Sequence, residues 1–146
     1  MVNVTRINKI TRTSVVADQK PYYSDFYTNF NVHPQNKKLA KYANEEAVKR
    51  SIRNLILTEK YDRMFQPEIG TRIGGLLFEN MSDTITDQLK KTIDETIQTY
   101  EPRARVLDII IQANESRNSY DVYIYFEVIN SAADPITLNL TLYRVR

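Results

Sequence analysis

His33 is the only histidine in the chain, and cysteine is absent. Those two counts remove most nucleophilic and acid–base chemistry. A Ser-His-Asp relay would have to run through His33, which sits beside Pro34 in a turn-like stretch, and no Gly-x-Ser-x-Gly elbow accompanies it. Thiol nucleophiles, disulfides and thiolate metal sites all need cysteine. Transition-metal sites draw several ligands from His and Cys, so no metal and no cofactor are expected. Gly70-(x)4-Gly75 has the glycine spacing of a phosphate loop, but Leu76 and Leu77 stand where Lys and Ser/Thr would grip phosphate and magnesium. A glycosidase needs only two carboxylates about 5–9.5 Å apart, and Glu68, Glu79 and Glu101 are candidates. With 18 acidic residues such pairs arise by chance, so no catalytic residue is assigned.

Glu101-Pro102-Arg103 is the cluster that resists a bland explanation. Pro102 disfavours helical geometry at the residue before it, which places the triplet where a helix gives way to a strand. A Glu and an Arg two residues apart are not neighbours in helical i,i+4 pairing. One expectation is that each finds its partner elsewhere, on another chain. The competing expectation is a local ion pair that pins helix to sheet.

Those residues must be positioned by regular elements. Residues 1–20 are polar with scattered Val and Ile, and read as an extended N-terminal arm, either disordered or held by a partner. They lack the apolar stretch of a signal peptide, so no export is expected. Tyr22, Tyr23, Phe26, Tyr27 and Phe30 crowd together next, either as cover for the domain's own core or as a docking surface. Asn44-Glu45-Glu46 opens a helix, with Asn44 as N-cap and Val48, Ile52, Leu55 and Ile56 on one face. A loop punctuated by Pro67 and Gly70 leads to a short helix over Thr71–Glu79. The glycine pair Gly74-Gly75 inside it predicts close approach of another backbone. Ser82 caps a long third helix with Ile85, Leu89, Ile93 and Ile97 as its apolar stripe. Strands follow over Arg105–Gln112, Tyr120–Ile129 and Ile136–Val145, the last two alternating cleanly. The fold class is therefore α+β: three helices on one face of a three-stranded antiparallel meander, preceded by the arm, with residues 21–146 as one domain.

The 146-residue length suits one domain, and the 42% hydrophobic and 26% charged content excludes collagen, a membrane-spanning chain and full disorder. A net charge of +2 is too small to argue for nucleic acid. Charge is segregated, however. Lys37, Lys38, Lys41, Lys49, Arg50 and Arg53 cluster before and on the first helix, while Glu79, Asp83, Asp87, Asp94, Glu95 and Glu101 dominate the third. Faces of opposite sign suit stacking against neighbours, although ordinary solvated surface explains the same pattern.

Four landmarks in order carry a resemblance: ANEEAVKRSIRNLILT at 43–58, YDRMFQPEIG at 61–70, LLFE at 76–79 and YEPR at 100–103. Together they resemble the lysozyme-like baseplate wedge protein, or sheath initiator, of contractile-tailed phages, which has a counterpart in type VI secretion baseplates. Tyr61-Asp62 replaces a commoner Gly-Glu in that pattern. The resemblance implies structural work with no catalysis: contact with other baseplate wedge subunits, a platform for the tail sheath protein, and a place near the tail tube or hub. It implies location in the virion tail baseplate, with host cytoplasm during assembly, and no nucleic acid or membrane partner. The family's Glu-Pro-Arg corner, similar to Glu101, Pro102 and Arg103, lies at contacts with the wedge's helical core. The last strand should end the meander as an exposed edge that a sheath arm could extend, with Ile136, Leu138, Leu140, Leu142 and Tyr143 as its sheath-facing residues. The rivals are a peptidoglycan-degrading lysozyme-like enzyme, which the family's name suggests, and a regulatory adaptor on the same fold.

Overall fold

The computed structural model describes residues 23–131, apart from Thr28 and Asn36, and residues 134–144. The arm expected over residues 1–20, and Tyr22, lie outside the described residues. The elements in order are β1 (Ser24–Phe26), β2 (Lys41–Ala43), α1 (Asn44–Leu57), α2 (Ile73–Phe78), α3 (Asp83–Tyr100), β3 (Ala104–Asn114), β4 (Ser119–Val128) and β5 (Ile136–Tyr143). The fold is α+β, as expected, with β3-β4-β5 in an antiparallel meander and α3 laid chiefly along β3.

Hydrophobic periodicity builds the core. Val48, Ile52 and Ile56 of α1, and Leu89, Ile93 and Ile97 of α3, are almost fully buried. They meet Tyr120, Val122, Ile124, Phe126 and Val128 of β4, the central strand, with Leu138, Leu140 and Leu142 of β5 completing the layer. β3 does not alternate in sequence, and the reason is a register shift between Val106 and Asp108. The extra residue, Leu107, reverses the pleat. Ala104 and Val106 face the core before it, Ile109 and Ile111 after it, while Leu107 and Asp108 lie exposed.

Ser82 caps α3 as expected, its Oγ accepting from the Ile85 N–H at 3.4 Å. Asn44 does not cap α1. The N-cap position is Ala43 and no side chain caps it. Asn44 instead adopts φ +48, a left-handed conformation that Asn tolerates, and turns back to Tyr23. Its N–H donates to the Tyr23 carbonyl at 2.8 Å, and its Oδ1 accepts from the Tyr23 N–H at 3.5 Å. The β1–β2 pairing that these bonds extend was not read from the sequence, because three-residue, largely exposed strands carry no alternation.

The short helix begins at Ile73 rather than Thr71. Thr71 is drawn into a parallel bridge with Glu59, and its hydroxyl donates to the Ile56 carbonyl at 3.0 Å. The close backbone approach predicted for Gly74-Gly75 occurs at Gly70 instead. Gly70 has φ +136, and a Cβ there would sit 2.7 Å from the Thr58 carbonyl oxygen. Gly74 faces the Glu59 carboxylate, and Gly75 faces open space.

Candidate functional site

The junction of α3 and β3 is a four-residue turn. The Ala104 N–H donates to the Glu101 carbonyl at 3.1 Å, with Pro102 at the position where its fixed φ suits such turns. The turn folds residue 103 back over residue 101. Arg103 therefore grips Glu101 through both arms of its guanidinium, Nε to Oε1 at 2.5 Å and one terminal nitrogen to Oε2 at 2.7 Å. This corrects the expectation that the two residues seek partners elsewhere; the local ion pair is what forms. Helical spacing was the wrong ruler, because the chain has already left the helix at Glu101.

Other segments converge on this pair. The Glu101 side chain is 3% exposed and that of Arg103 33%. Burial pushes the Glu101 carboxyl up, but hydrogen bonds from Arg103 and from Ser51 of α1, with the guanidinium charge, outweigh it and hold it below its ordinary value. The Glu101 hydrogen bond in turn raises Arg103 further, against the opposing effect of its own partial burial. Arg103 also lies over the Tyr23 ring at 5.4 Å, the Tyr23 hydroxyl donates to the Ile129 carbonyl at 3.2 Å, and the Ile129 N–H donates to the Arg103 carbonyl at 2.9 Å. The corner thus ties the entry to β1, α1, α3, β3 and the exit of β4 into one knot, with two-thirds of the guanidinium side chain covered. Tyr23 and Ser51 were missed as members. The only sequence signal for Tyr23 is its place in the aromatic run.

Among the described residues β5 pairs with β4 alone, which makes it an edge of the three-stranded sheet. Its residues divide by parity. Leu138, Leu140 and Leu142 are buried in the core, and Ile136 is partly buried against it. Their side chains hold the sheet to the helices, so they do not face a partner. Thr137, Asn139, Thr141 and Tyr143 are exposed, and the Thr141 hydroxyl donates to Asp121 of β4 at 2.9 Å. Of the five residues assigned to a sheath-facing strand, only Tyr143, 67% exposed, presents its side chain outward. What remains for a partner is the backbone edge and the polar face.

Among the described residues no group of three or more His, Asp or Glu side chains is arranged to hold a metal ion. Of the candidate acids, Glu101 is committed to Arg103, and its carboxyl is shifted down. A glycosidase general acid needs the opposite shift. In the basic cluster, Arg50 donates to the Tyr42 hydroxyl at 3.1 Å, and Lys41 lies over the Phe26 ring at 5.0 Å. Tyr42 is itself stacked on Tyr27, with ring centroids 4.0 Å apart. Part of the aromatic run therefore braces the hairpin, while Phe26 and Phe30 stay exposed.

The chain matches the family described as baseplate wedge protein gp25 over residues 43–132, a span that takes in α1, the loop, α2, α3 and the corner. It is 30% identical over 107 residues to the baseplate wedge protein gp25 of Enterobacteria phage T4, covering 73% of this chain and 81% of that protein. The chain belongs to the baseplate wedge protein gp25 family. Solved structures share its fold at lower identity. A proposed tail lysozyme from Geobacter sulfurreducens superposes with a TM-score of 0.64 at 22% identity, covering 70% of this chain and 92% of that one. A chain of the anti-feeding prophage baseplate gives 0.58 at 24%, covering 84% and 85%. A chain of the postcontracted pyocin R2 baseplate gives 0.54 at 14%, covering 67% and 96%.

Proposed function

We propose that this chain is a structural component of the baseplate wedge of a contractile tail, and that its surfaces rather than its reactive groups do the work. The observation that carries this is the family match across residues 43–132, which includes the Glu101-Pro102-Arg103 corner. The corner is a preformed feature: two charges locked in one geometry, with about a third of the Arg103 side chain open to a neighbour. Other wedge subunits are its partners. The tail sheath protein is the partner of β5, whose far edge, unpaired among the described residues, accepts an added strand through backbone hydrogen bonds. The polar residues Thr137, Asn139 and Thr141 with Tyr143 then set the register on one face. Tail tube or hub is a further neighbour, and the location is the tail baseplate of the virion.

The test is sheath assembly on baseplates carrying Asn139→Pro or Tyr143→Lys, with thermal melting of each isolated variant as the folding control. A variant that melts like wild type yet leaves baseplates without sheath supports strand addition at β5. Normal sheath on both, each shown to be folded, removes that role and leaves the wedge role standing. The lysozyme alternative draws on the likeness to the Geobacter protein, which at 22% identity is a likeness of fold. The Glu101 carboxyl, held by Arg103 and shifted down, is unsuited to the general-acid role in such an enzyme.

A further inference from the structure

The loop between α1 and α2 ends in the two most exposed large apolar side chains among the described residues: Met64 is 91% exposed and Phe65 96%. Isolated exposed leucines are common, but two adjacent large apolar groups standing almost wholly in water are not. The loop is braced rather than loose. At its neck the Lys60 N–H donates to the Thr71 carbonyl at 3.0 Å and the Thr71 N–H to the Thr58 carbonyl at 2.9 Å. Across its waist the Tyr61 N–H donates to the Pro67 carbonyl at 2.9 Å, and at the tip the Gln66 N–H to the Arg63 carbonyl at 3.2 Å. The Tyr100 hydroxyl ties the loop to the end of α3 by donating to the Glu68 carbonyl at 2.8 Å. Gly70 lets the returning strand press against Thr58 where a Cβ would collide. A tip held this firmly meets a partner with little conformational entropy left to lose.

We propose that Met64–Phe65 is a plug that seats in an apolar socket on a neighbouring protein subunit of the baseplate, an inference that rests on the wedge reading above. Continuity supports this occupant. A cleft of about 290 Å³ runs beside the loop, lined by Asp25, Ser51, Asn54, Arg63, Ile69 and Tyr100. Its lining includes both Ser51, which hydrogen-bonds Glu101, and Arg63, next to the plug. One subunit lying on the corner therefore reaches the plug along a single surface. The charges around the tip are mixed, with Lys60 and Arg63 against Glu59, Asp62 and Glu68. A mixed rim suits a protein rim and not the uniformly anionic face of a lipid surface. The cavity of about 470 Å³ between α3 and β3 is lined by Val106, Leu107 and Ile109 as well as by Asp87, Lys90, Lys91 and Asp94, so seating in a second copy of this chain is one of the outcomes that the experiment separates.

The chain has no tryptophan, so Phe65→Trp places a single reporter at the tip. In the isolated full-length chain its emission should be that of a water-exposed indole, open to acrylamide and unchanged by protein concentration or by phosphatidylglycerol vesicles. In the wedge formed by co-expressing this chain with the other wedge components of its own tail, emission should shift to the blue and quenching should fall. Phe65→Ser should melt like wild type and weaken wedge entry about 30-fold or more, the effect of losing an interface anchor. A blue emission in the isolated chain assigns the tip to residues 1–22 or to a second copy and overturns the proposal. So does a shift on vesicles, or an indole still exposed in the wedge. A Phe65→Ser chain that enters as well as wild type overturns the plug alone. A wild-type chain that never enters overturns the wedge reading with it.

Discussion

Arg103 and Glu101 illustrate how one turn can convert two expensive charges into a fixed point. A buried carboxylate is tolerated only when its oxygens are occupied, and both arms of a guanidinium do that. Removing Arg103 takes away both guanidinium contacts from a carboxylate that is buried in the folded chain. Arg103→Ala should therefore destabilise the isolated chain by roughly 2 kcal/mol, below the range for fully buried pairs because the guanidinium is partly screened by solvent. Arg103→Lys should lose a good part of that, since an ammonium cannot make the paired contact. Denaturant unfolding measures both. The pH dependence has a definite sign. The folded-state Glu101 carboxyl lies below its ordinary 4.5, so its contribution is fully present above that value and fades as pH falls through the folded-state pKa. Glu101→Gln should accordingly be less stable than wild type at neutral pH, with the gap narrowing as the solution is acidified. A gap as large in acid, below the carboxylate range, as at neutral pH would contradict this assignment. The identity and place of this pair were legible in the sequence, but its bonding was not. Sequence separation says how far apart two residues are along the chain, while the Glu101–Ala104 turn decides which way their side chains point.

At the scale of elements, legibility follows burial pattern. α3 announced itself through Leu89, Ile93 and Ile97 at four-residue spacing between a capping Ser82 and a terminating Pro102, and all three are buried. β4 alternates because one of its faces is in the core and the other is not. β3 hid its pattern behind the Leu107 bulge, and β1 and β2 were too short and exposed to show one. β5 carried two readings at once. Alternation marked out Leu138, Leu140 and Leu142 as one face of an amphipathic edge strand, and that face was expected to meet sheath; the fold puts all three in the core. Two substitutions probe this layer. Ile93→Ala, at a fully buried position on α3, should cost about 2–5 kcal/mol. Gly70→Ala combines a left-handed backbone with a Cβ driven into the Thr58 carbonyl, and should cost about 1–3 kcal/mol. Thermal melting distinguishes these from Ser82→Ala, whose long 3.4 Å cap bond places it near or below 1 kcal/mol.

The whole molecule presents three distinct surfaces on one rigid core. The corner and the braced loop border one cleft, lined by Ser51 and Arg63, and β5 is an edge strand among the described residues. On the proposed function, a small α+β domain of the baseplate wedge protein gp25 family is a part that holds its neighbours in register. On the reading developed above, wedge contacts at the corner set position, and the β5 edge passes that position on to sheath. The most direct test is electron cryomicroscopy of intact particles from a tail that encodes this chain. The account predicts density for this fold in every wedge, with the Glu101–Arg103 corner against a neighbouring wedge subunit and the β5 edge extended by a strand of the first sheath ring. Complete, sheathed particles with no density for this chain in the baseplate would contradict it.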